Sequence, residues 1–347
     1  MADSVMAIAI QSNVTMVDST ASKETIKKTI RDNLKRACQL VDWAARFRYP
    51  GLVDMPKLVV LPESFLHAFP RSEGAQVTNM MKVGISIPGE ETEVLAKTAR
   101  DNNAYLCATS YEVDEEWPGR YFNCSFILDP QGQIIVKYRK IMCGMIETGC
   151  SPHDILDAYV ERYGYDALFP VVDTPIGKLG TFICADGLFG PEVARCLAMN
   201  GAEILCYPIS TTSSDHHLYH LVARMRALDT TCYLVSANLG STFAKERAEQ
   251  TGGESLIVDF EGRVLTQATA LGETTISTTL HLDALRRSRR AIACLRAEAY
   301  APMYQRTFFK ANRFLHTPEQ ELDDEVRATR ETLEDLYERG LLVRPRS

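Results

Sequence analysis

Three reactive side chains stand at one kind of place in this sequence, the end of an apolar run. Cys184 follows Leu179-Gly180-Thr181-Phe182-Ile183, Glu63 follows Leu58-Val59-Val60-Leu61-Pro62, and Lys140 follows Ile134-Ile135-Val136-Lys137-Tyr138-Arg139. Short apolar runs of this length read as buried strands. Catalytic groups are commonly collected where strand ends converge. A thiol, a carboxylate and an ammonium together can do acyl transfer: a nucleophile, a base to take its proton, and a cation for the negative charge that forms. Each also has a plain reading. Glu63 can cap a helix, Lys140 can be a solvated strand end, and Cys184 can fill core space as a small hydrophobe.

The surroundings of Cys184 favour reactivity. The Asp186-Gly187 pair after it must turn. Pro191 then opens a helix at the position where proline is best tolerated, and a further strand covers residues 203–207. A thiol delivered to such a strand–turn–helix junction meets free backbone N–H groups, which favour thiolate.

The elements that must position these groups can be traced along the chain. Strands are expected at 4–11, 58–61, 105–111, 121–128, 133–138, 169–174, 179–183, 203–207, 233–237, 255–260, 263–266 and 275–281. Helices are expected at 21–47, 88–102, 215–230 and 283–300, and 143–166 reads as irregular. In the first helix the apolar positions are Ile26, Ile30, Leu34, Ala37, Leu40, Val41 and Ala44, a helical spacing. Strand–helix–strand units alternating with hairpins imply an α/β or α+β layered domain. No internal repeat or low-complexity linker is visible.

Composition narrows the classes of function. The 347 residues are 46% hydrophobic and 24% charged, ordinary for a globular protein with a large core. A net charge of -7 gives nucleic acid no basic face to bind. No apolar run approaches a membrane span, and the start lacks the pattern of a signal peptide. The ten cysteines are scattered with no CxxC pair. The expectation is a cytoplasmic protein with reduced thiols.

The sequence resembles the nitrilase superfamily of carbon–nitrogen hydrolases. Leu61-Pro62-Glu63-Ser64-Phe65, Lys137-Tyr138-Arg139-Lys140-Ile141 and Gly180-Thr181-Phe182-Ile183-Cys184-Ala185-Asp186 carry the likeness. Asn123, the run Arg224-Met225-Arg226-Ala227-Leu228-Asp229 and Ala237-Asn238 support it. The resemblance spans roughly residues 5–285. It implies a four-layer α-β-β-α sandwich and a Glu-Lys-Cys triad of Glu63, Lys140 and Cys184. A second glutamate falls on Glu147, holding Lys140 charged or positioning substrate. It also implies association into a homodimer or higher homo-oligomer, with no metal or other cofactor required.

The expected reaction is hydrolysis of a small-molecule amide or carbamoyl compound through a thioester on Cys184. Nitrile hydrolysis by the same triad is the alternative: Asp186-Gly187 leans toward amides, while the run from Phe65 to Arg71 leans toward nitriles. Ala185 supplies an expected oxyanion N–H. Asp186, Phe189 and Tyr207 are the other expected substrate-binding positions, with core packing the plain alternative for both aromatic residues.

Two rival classes remain. One is a catalytically silent paralogue that binds a small molecule or a protein. The other is a metal site on His216, His217 and His220, whose spacing is a weak ligand pattern. His67 and His153 are loop histidines that can line a pocket. The hydrolase domain is expected at 1–285. An extension at 286–347 is expected to be helical and aromatic and to pack in an oligomer, through Tyr300, Tyr304, Phe308, Phe309 and Phe314. The basic cluster at 286–290 reads as a solvated face.

Overall fold

This computed structural model describes residues 3–46, 55–68, 77–143, 149–211, 216–244, 247–250, 252–268, 272–289, 297–306, 331 and 334–345. The strands, in chain order, are β1 (Ser4–Gln11), β2 (Val14–Thr15), β3 (Lys57–Val60), β4 (Ala104–Glu112), β5 (Phe122–Leu128), β6 (Ile134–Arg139), β7 (Val171–Thr174), β8 (Gly177–Thr181), β9 (Ile204–Ile209), β10 (Tyr233–Asn238), β11 (Ser241–Ala244), β12 (Arg247–Gln250), β13 (Leu256–Val258), β14 (Val264–Gln267) and β15 (Thr274–His281). The helices are α1 (Lys23–Arg46), α2 (Val77–Val83), α3 (Glu90–Asn102), α4 (Leu156–Tyr163), α5 (Ala185–Leu188), α6 (Glu192–Met199), α7 (His216–Thr230), α8 (Leu282–Ser288) and α9 (Ala297–Arg306).

Alternation along the strands builds the layers. In β1, Val5, Ala7 and Ala9 face the second sheet, while Met6, Ile8 and Ile10 face α1 and α3. In β9, Ile204 and Cys206 face the first sheet, while Leu205, Tyr207 and Ile209 face α6 and α7. Both faces of each strand are therefore apolar, which requires a covering layer on either side. The result is the α-β-β-α sandwich. All seven apolar positions anticipated in α1 are buried. Ser22 starts that helix, its hydroxyl accepting the Thr25 N–H at 3.3 Å.

The two six-stranded sheets run in the orders β15-β1-β3-β4-β5-β6 and β14-β13-β10-β9-β8-β7, and a small third sheet runs β12-β11-β2. From β15 the pairings are antiparallel, parallel, parallel, antiparallel, antiparallel. From β7 the second sheet follows the same succession. The fold thus repeats a unit that the sequence does not display. Parallel neighbours bring the C-terminal ends of β3 and β4 to one edge, and those of β8, β9 and β10 to one edge.

Several expectations need correction. The stretch 143–166 is not irregular throughout: Ser151 caps a short 3-10 turn at Pro152–Ile155, and α4 follows. The expected helix over 283–300 stops at Ser288, because Arg289 turns to an extended conformation. The basic cluster is not simply solvated. Arg286 makes a two-pronged pair with Glu203, at 2.7 and 2.9 Å, and Arg289 donates to the carbonyls of Gly201 and Ala202. In the C-terminal region, Tyr300 and Tyr304 are exposed on α9, and Tyr304 donates to Glu192 at 3.0 Å. Phe308, Phe309 and Phe314 lie outside the described residues.

Candidate active site

The acid comes first in the chain. After β3 the backbone turns at Ser64, which has a left-handed φ of 59°. The Ser64 N–H donates to Thr109 Oγ1 at 3.1 Å, and that hydroxyl donates to the Pro62 carbonyl at 3.1 Å. The turn directs Glu63 inward, where it is 2% exposed. Its Oε1 accepts from Lys140 Nζ at 2.9 Å and from Asn123 Nδ2 at 2.9 Å. Lys140 is equally buried.

Lys140 owes its aim to its neighbours. Its N–H donates to the Asn123 carbonyl at 2.8 Å, which extends the β5–β6 ladder by one step. Arg139, just before it, pairs with Glu112 at 2.7 Å and Asp114 at 2.5 Å. The Arg139 guanidinium lies 4.2 Å from the centroid of Phe122. Successive side chains on a strand point to opposite faces. Anchoring Arg139 outward therefore directs Lys140 inward.

Cys184 sits on a sharp elbow between β8 and α5, with φ 41° and ψ -101°. Only backbone over-determined by its surroundings holds a non-glycine residue there. The Cys184 N–H donates to the Pro208 carbonyl at 3.0 Å. Its carbonyl accepts from the Tyr207 hydroxyl at 2.8 Å and from the Gly187 N–H at 2.9 Å. Gly187 is required by space. A Cβ there would lie 2.7 Å from Tyr207 Oη and 2.8 Å from Phe182 Cε2.

Cys184 as a residue is half-buried, yet the acidity of its thiol is that of a desolvated group. Burial pushes its pKa well up, and the Glu63 charge and hydrogen bond push it further. Lys140 and the Ser210 N–H pull the other way. Burial thus keeps the proton on sulfur, with the Glu63 side chain beside it. Among the described residues no acceptor takes the Ala185 N–H, the first of α5.

The anticipated positions sort into groups. Glu63, Lys140 and Cys184 come together, with Ala185 beside them. Asp186, expected at the substrate, is fully buried under the elbow. It accepts from Tyr138 Oη at 2.8 Å and from the N–H groups of Met142 and Ile183 at 2.8 and 3.0 Å. Burial pushes its pKa up to about 6. Tyr207 is likewise buried, stacked on Phe182 at 4.4 Å, with its hydroxyl spent on Cys184. Both hold Cys184 from beneath. Phe189, at the end of α5, is 68% exposed. Glu147 lies outside the described residues.

His67 is no pocket liner: it is buried, Nδ1 donates to the Ala68 carbonyl at 2.6 Å, and Nε2 accepts the Tyr111 N–H at 3.4 Å. That places a neutral imidazole in the turn carrying Glu63. Among the described residues no group of three His, Cys, Asp or Glu side chains is arranged to hold a metal. His220 faces Glu254, and the His216 side chain lies outside the described residues.

Sequence reasoning missed Ser210, Tyr138 and the direct Asn123–Glu63 bond. Asn123 carried a signal. It and Ser125 are the polar residues of an otherwise apolar β5 and sit two apart, on one face.

Comparison with known proteins identifies the family. The carbon–nitrogen hydrolase family model matches residues 24–290. An omega-amidase of Xenopus laevis, NIT2-A, is 33% identical over 264 residues, covering 75% of this chain and 87% of the relative. The omega-amidase NIT2 of Mus musculus is 32% identical over 275 residues, covering 78% and 91%. Deaminated glutathione amidase of Homo sapiens is 30% identical over 259 residues, covering 73% and 71%. Among solved structures, Saccharomyces cerevisiae Nit3, of the nitrilase superfamily, superposes with a TM-score of 0.66 at 23% identity, covering 89% of this chain and 98% of that one. An amidase from Nesterenkonia sp. gives 0.63 at 17% identity, covering 87% and 98%. These two likenesses carry the fold, while the family model and the curated relatives carry the family. The chain belongs to the carbon–nitrogen hydrolase family.

Proposed function

We propose that this protein is an amidase that hydrolyses a small-molecule amide through a thioester on Cys184. The observation that carries this reading is the buried Lys140–Glu63 contact of 2.9 Å beside a nucleophile held at a left-handed elbow. The omega-amidase and deaminated glutathione amidase relatives support an amide rather than a nitrile.

Each step uses a group already in place. As the sulfur attacks the amide carbon, its proton passes to Glu63, and the carbonyl electrons move onto oxygen. Lys140 and the Ala185 N–H receive that oxyanion, each such donor being worth about 3–4 kcal/mol. On collapse the C–N bond breaks and the Glu63 proton goes to the leaving nitrogen. Water then attacks the thioester, losing a proton to Glu63. The C–S bond breaks, the acid leaves, and the sulfur regains its proton. Glu147 holds Lys140 charged or positions the substrate. The direct test is ammonia or amine release from amide and matched nitrile substrates. The reading stands if amides turn over and Cys184→Ala releases nothing while staying folded, and it falls if that variant stays active.

The hydrolase domain is assigned to 1–285 and the oligomer-packing extension to 286–347. α7 exposes Leu218, Leu221, Met225 and Leu228, spaced by three and four on one face. A second copy of this chain covers that stripe in a homodimer or larger homo-oligomer. Small-angle scattering of the wild type and of Leu221→Glu tests this, and a monomer in both excludes it. Among the described residues no helix is long and apolar enough to cross a membrane. With the nine cysteines among the described residues all free, the assigned compartment is the cytoplasm.

A further inference from the structure

Parallel strands exchange evenly spaced backbone bonds, so each rung fixes where the next should fall. Past the end of β8, the Phe182 N–H donates to the Cys206 carbonyl at 3.2 Å, and the Cys184 N–H to the Pro208 carbonyl at 3.0 Å. The next rung would run from the Ser210 N–H to the Cys184 carbonyl. Among the described residues that rung is absent. The elbow, at φ 41° and ψ -101°, turns the carbonyl away. It accepts instead from the Gly187 and Leu188 N–H groups at 2.9 and 3.1 Å, and from the Tyr207 hydroxyl at 2.8 Å. The donor at the end of β9 is thereby released from the sheet, and it faces the Cys184 sulfur.

Its neighbours pin this donor in place. Asn238, fully buried at the end of β10, holds Thr211 twice. Oδ1 accepts the Thr211 N–H at 3.1 Å, and Nδ2 donates to Thr211 Oγ1 at 2.9 Å. Nδ2 also donates to the Gly253 carbonyl at 2.8 Å. The Asn238 N–H donates to Ser255 Oγ at 2.9 Å, and the Ser255 N–H to Gln11 Oε1 at 3.0 Å. The Thr211 carbonyl accepts the Gly252 N–H. A Cβ on Gly252 would lie 2.4 Å from Asn238 Nδ2 and 2.6 Å from the Thr211 carbonyl oxygen, so the loop packs here without slack. On the other side, Ile209 is fully buried in β9. Ser210 is fixed between a strand and a clamped residue. The clamp needs a side-chain amide, because a carboxylate has no N–H for Thr211 Oγ1 or the Gly253 carbonyl.

We propose that the Ser210 N–H is a catalytic hydrogen-bond donor to the Cys184 sulfur, and that Asn238 is the positioning residue that holds it there. This rests on the amidase reading of Cys184 and adds a group to it. Lys140 and the Ala185 N–H serve the substrate oxygen, whereas this donor serves the sulfur. Sulfur gains negative charge twice in each turnover. The first time is during attack, as its proton passes to Glu63. The second is when the C–S bond breaks and its electron pair returns to sulfur, before Glu63 gives the proton back. Hydrogen bonds to a charged acceptor are stronger than those to a neutral one. A donor aimed at sulfur therefore favours both moments over the resting thiol.

The test replaces the Ser210 N–H by an ester oxygen, with the α-hydroxy analogue of serine at this position. Alkylation of Cys184 by iodoacetamide is followed across pH and read on the peptide that carries it, so the result does not depend on turnover. The rise in rate with pH should move to higher pH, with alkylation about tenfold slower near neutrality, the scale of one hydrogen bond to a charged group. On an amide, kcat should fall by a similar factor with KM little changed. Thr211→Val keeps the shape of the clamp and removes the hydroxyl that Asn238 holds. It should shift the profile the same way by a smaller step, and Thr211→Ser should recover most of that step. A folded ester form whose profile coincides with the wild type overturns the proposal. If the ester form does not fold, an unmoved profile in Thr211→Val overturns it. A lower Tm with an unmoved profile would mean that the clamp only braces the loop, and it overturns the proposal equally. Amide turnover by the wild-type protein reads the amidase assignment separately, since alkylation reports on the donor even if no amide is cleaved.

Discussion

The hydroxyl of Tyr207 is hydrogen-bonded to the carbonyl oxygen of Cys184 at 2.8 Å, and the ring beneath it stacks on Phe182. The Cys184 backbone is therefore held from its inner side by a residue at the next strand. Tyr207→Phe keeps the stack and removes the bond, leaving a buried carbonyl that still accepts from Gly187. A stability loss of about 1 kcal/mol is expected. Because the elbow is strained, kcat should fall more than KM rises. Urea unfolding with steady-state kinetics checks both, and an unchanged kcat would show that the elbow holds without this strut. Gly187→Ala should act more harshly, since its Cβ meets the same two rings.

Glu63 and Lys140 neutralise each other in a water-poor site, so removing one charge exposes the other. Lys140→Met leaves Glu63 with Asn123 and the Cys184 thiol but without its cation, and loss of one partner from a buried pair costs about 3–5 kcal/mol. Glu63→Gln keeps the shape and a hydrogen-bond acceptor, so it should fold better than Lys140→Met yet fail in turnover, since one base serves both half-reactions. Thermal melts and a single-turnover assay rank the two. Equal melting temperatures would mean that the pair is not worth its burial.

How much of this was readable in advance differs between levels. The three reactive residues announced themselves because each ends an apolar strand, a local pattern. The seven buried positions of α1 were readable for the same reason. The tasks of Asp186 and Tyr207 were not. Their partners, Tyr138, Met142 and the Cys184 carbonyl, become neighbours only when the two sheets close. Position beside a reactive cysteine suggested substrate contact, and burial assigned both residues to support instead. The doubled sheet order was hidden because strand pairing can recur without recurrence of residue types.

The pair of Arg286 and Glu203 predicts an acid-sensitive joint between α8 and the start of β9. Burial tends to raise the pKa of Glu203, but Arg286, the Lys178 N–H and Arg289 outweigh it and hold it below the ordinary value. A carboxylate lowered in the folded state stabilises the fold above its unfolded pKa and loses that contribution as pH falls through the folded one. Arg286 is partly exposed, so Arg286→Ala should cost only about 1–2 kcal/mol at pH 7. That gap should close toward pH 3. Urea midpoints of both proteins across this range decide it, and a gap that ignores pH would assign the loss to packing of the arginine stem.

Asp186 predicts the opposite slope. Its pKa rises to about 6 from an ordinary value of 3.8, because full burial outweighs Lys140 and the three hydrogen bonds it accepts. A carboxyl that is less acidic in the folded state favours folding most when protonated. Its contribution is greatest below the unfolded value and declines as pH climbs toward 6, after which it levels off. The two values differ by roughly two pH units, about 3 kcal/mol at neutral pH. Asp186→Asn removes the titration, although its amide must place one N–H group against a backbone donor. The stability of the wild type relative to this variant should therefore increase as pH drops from 7 to 4. Paired urea titrations at those pH values measure it. A difference that stays flat, or shrinks on acidification, would mean that the three hydrogen bonds compensate the burial of this carboxylate in full.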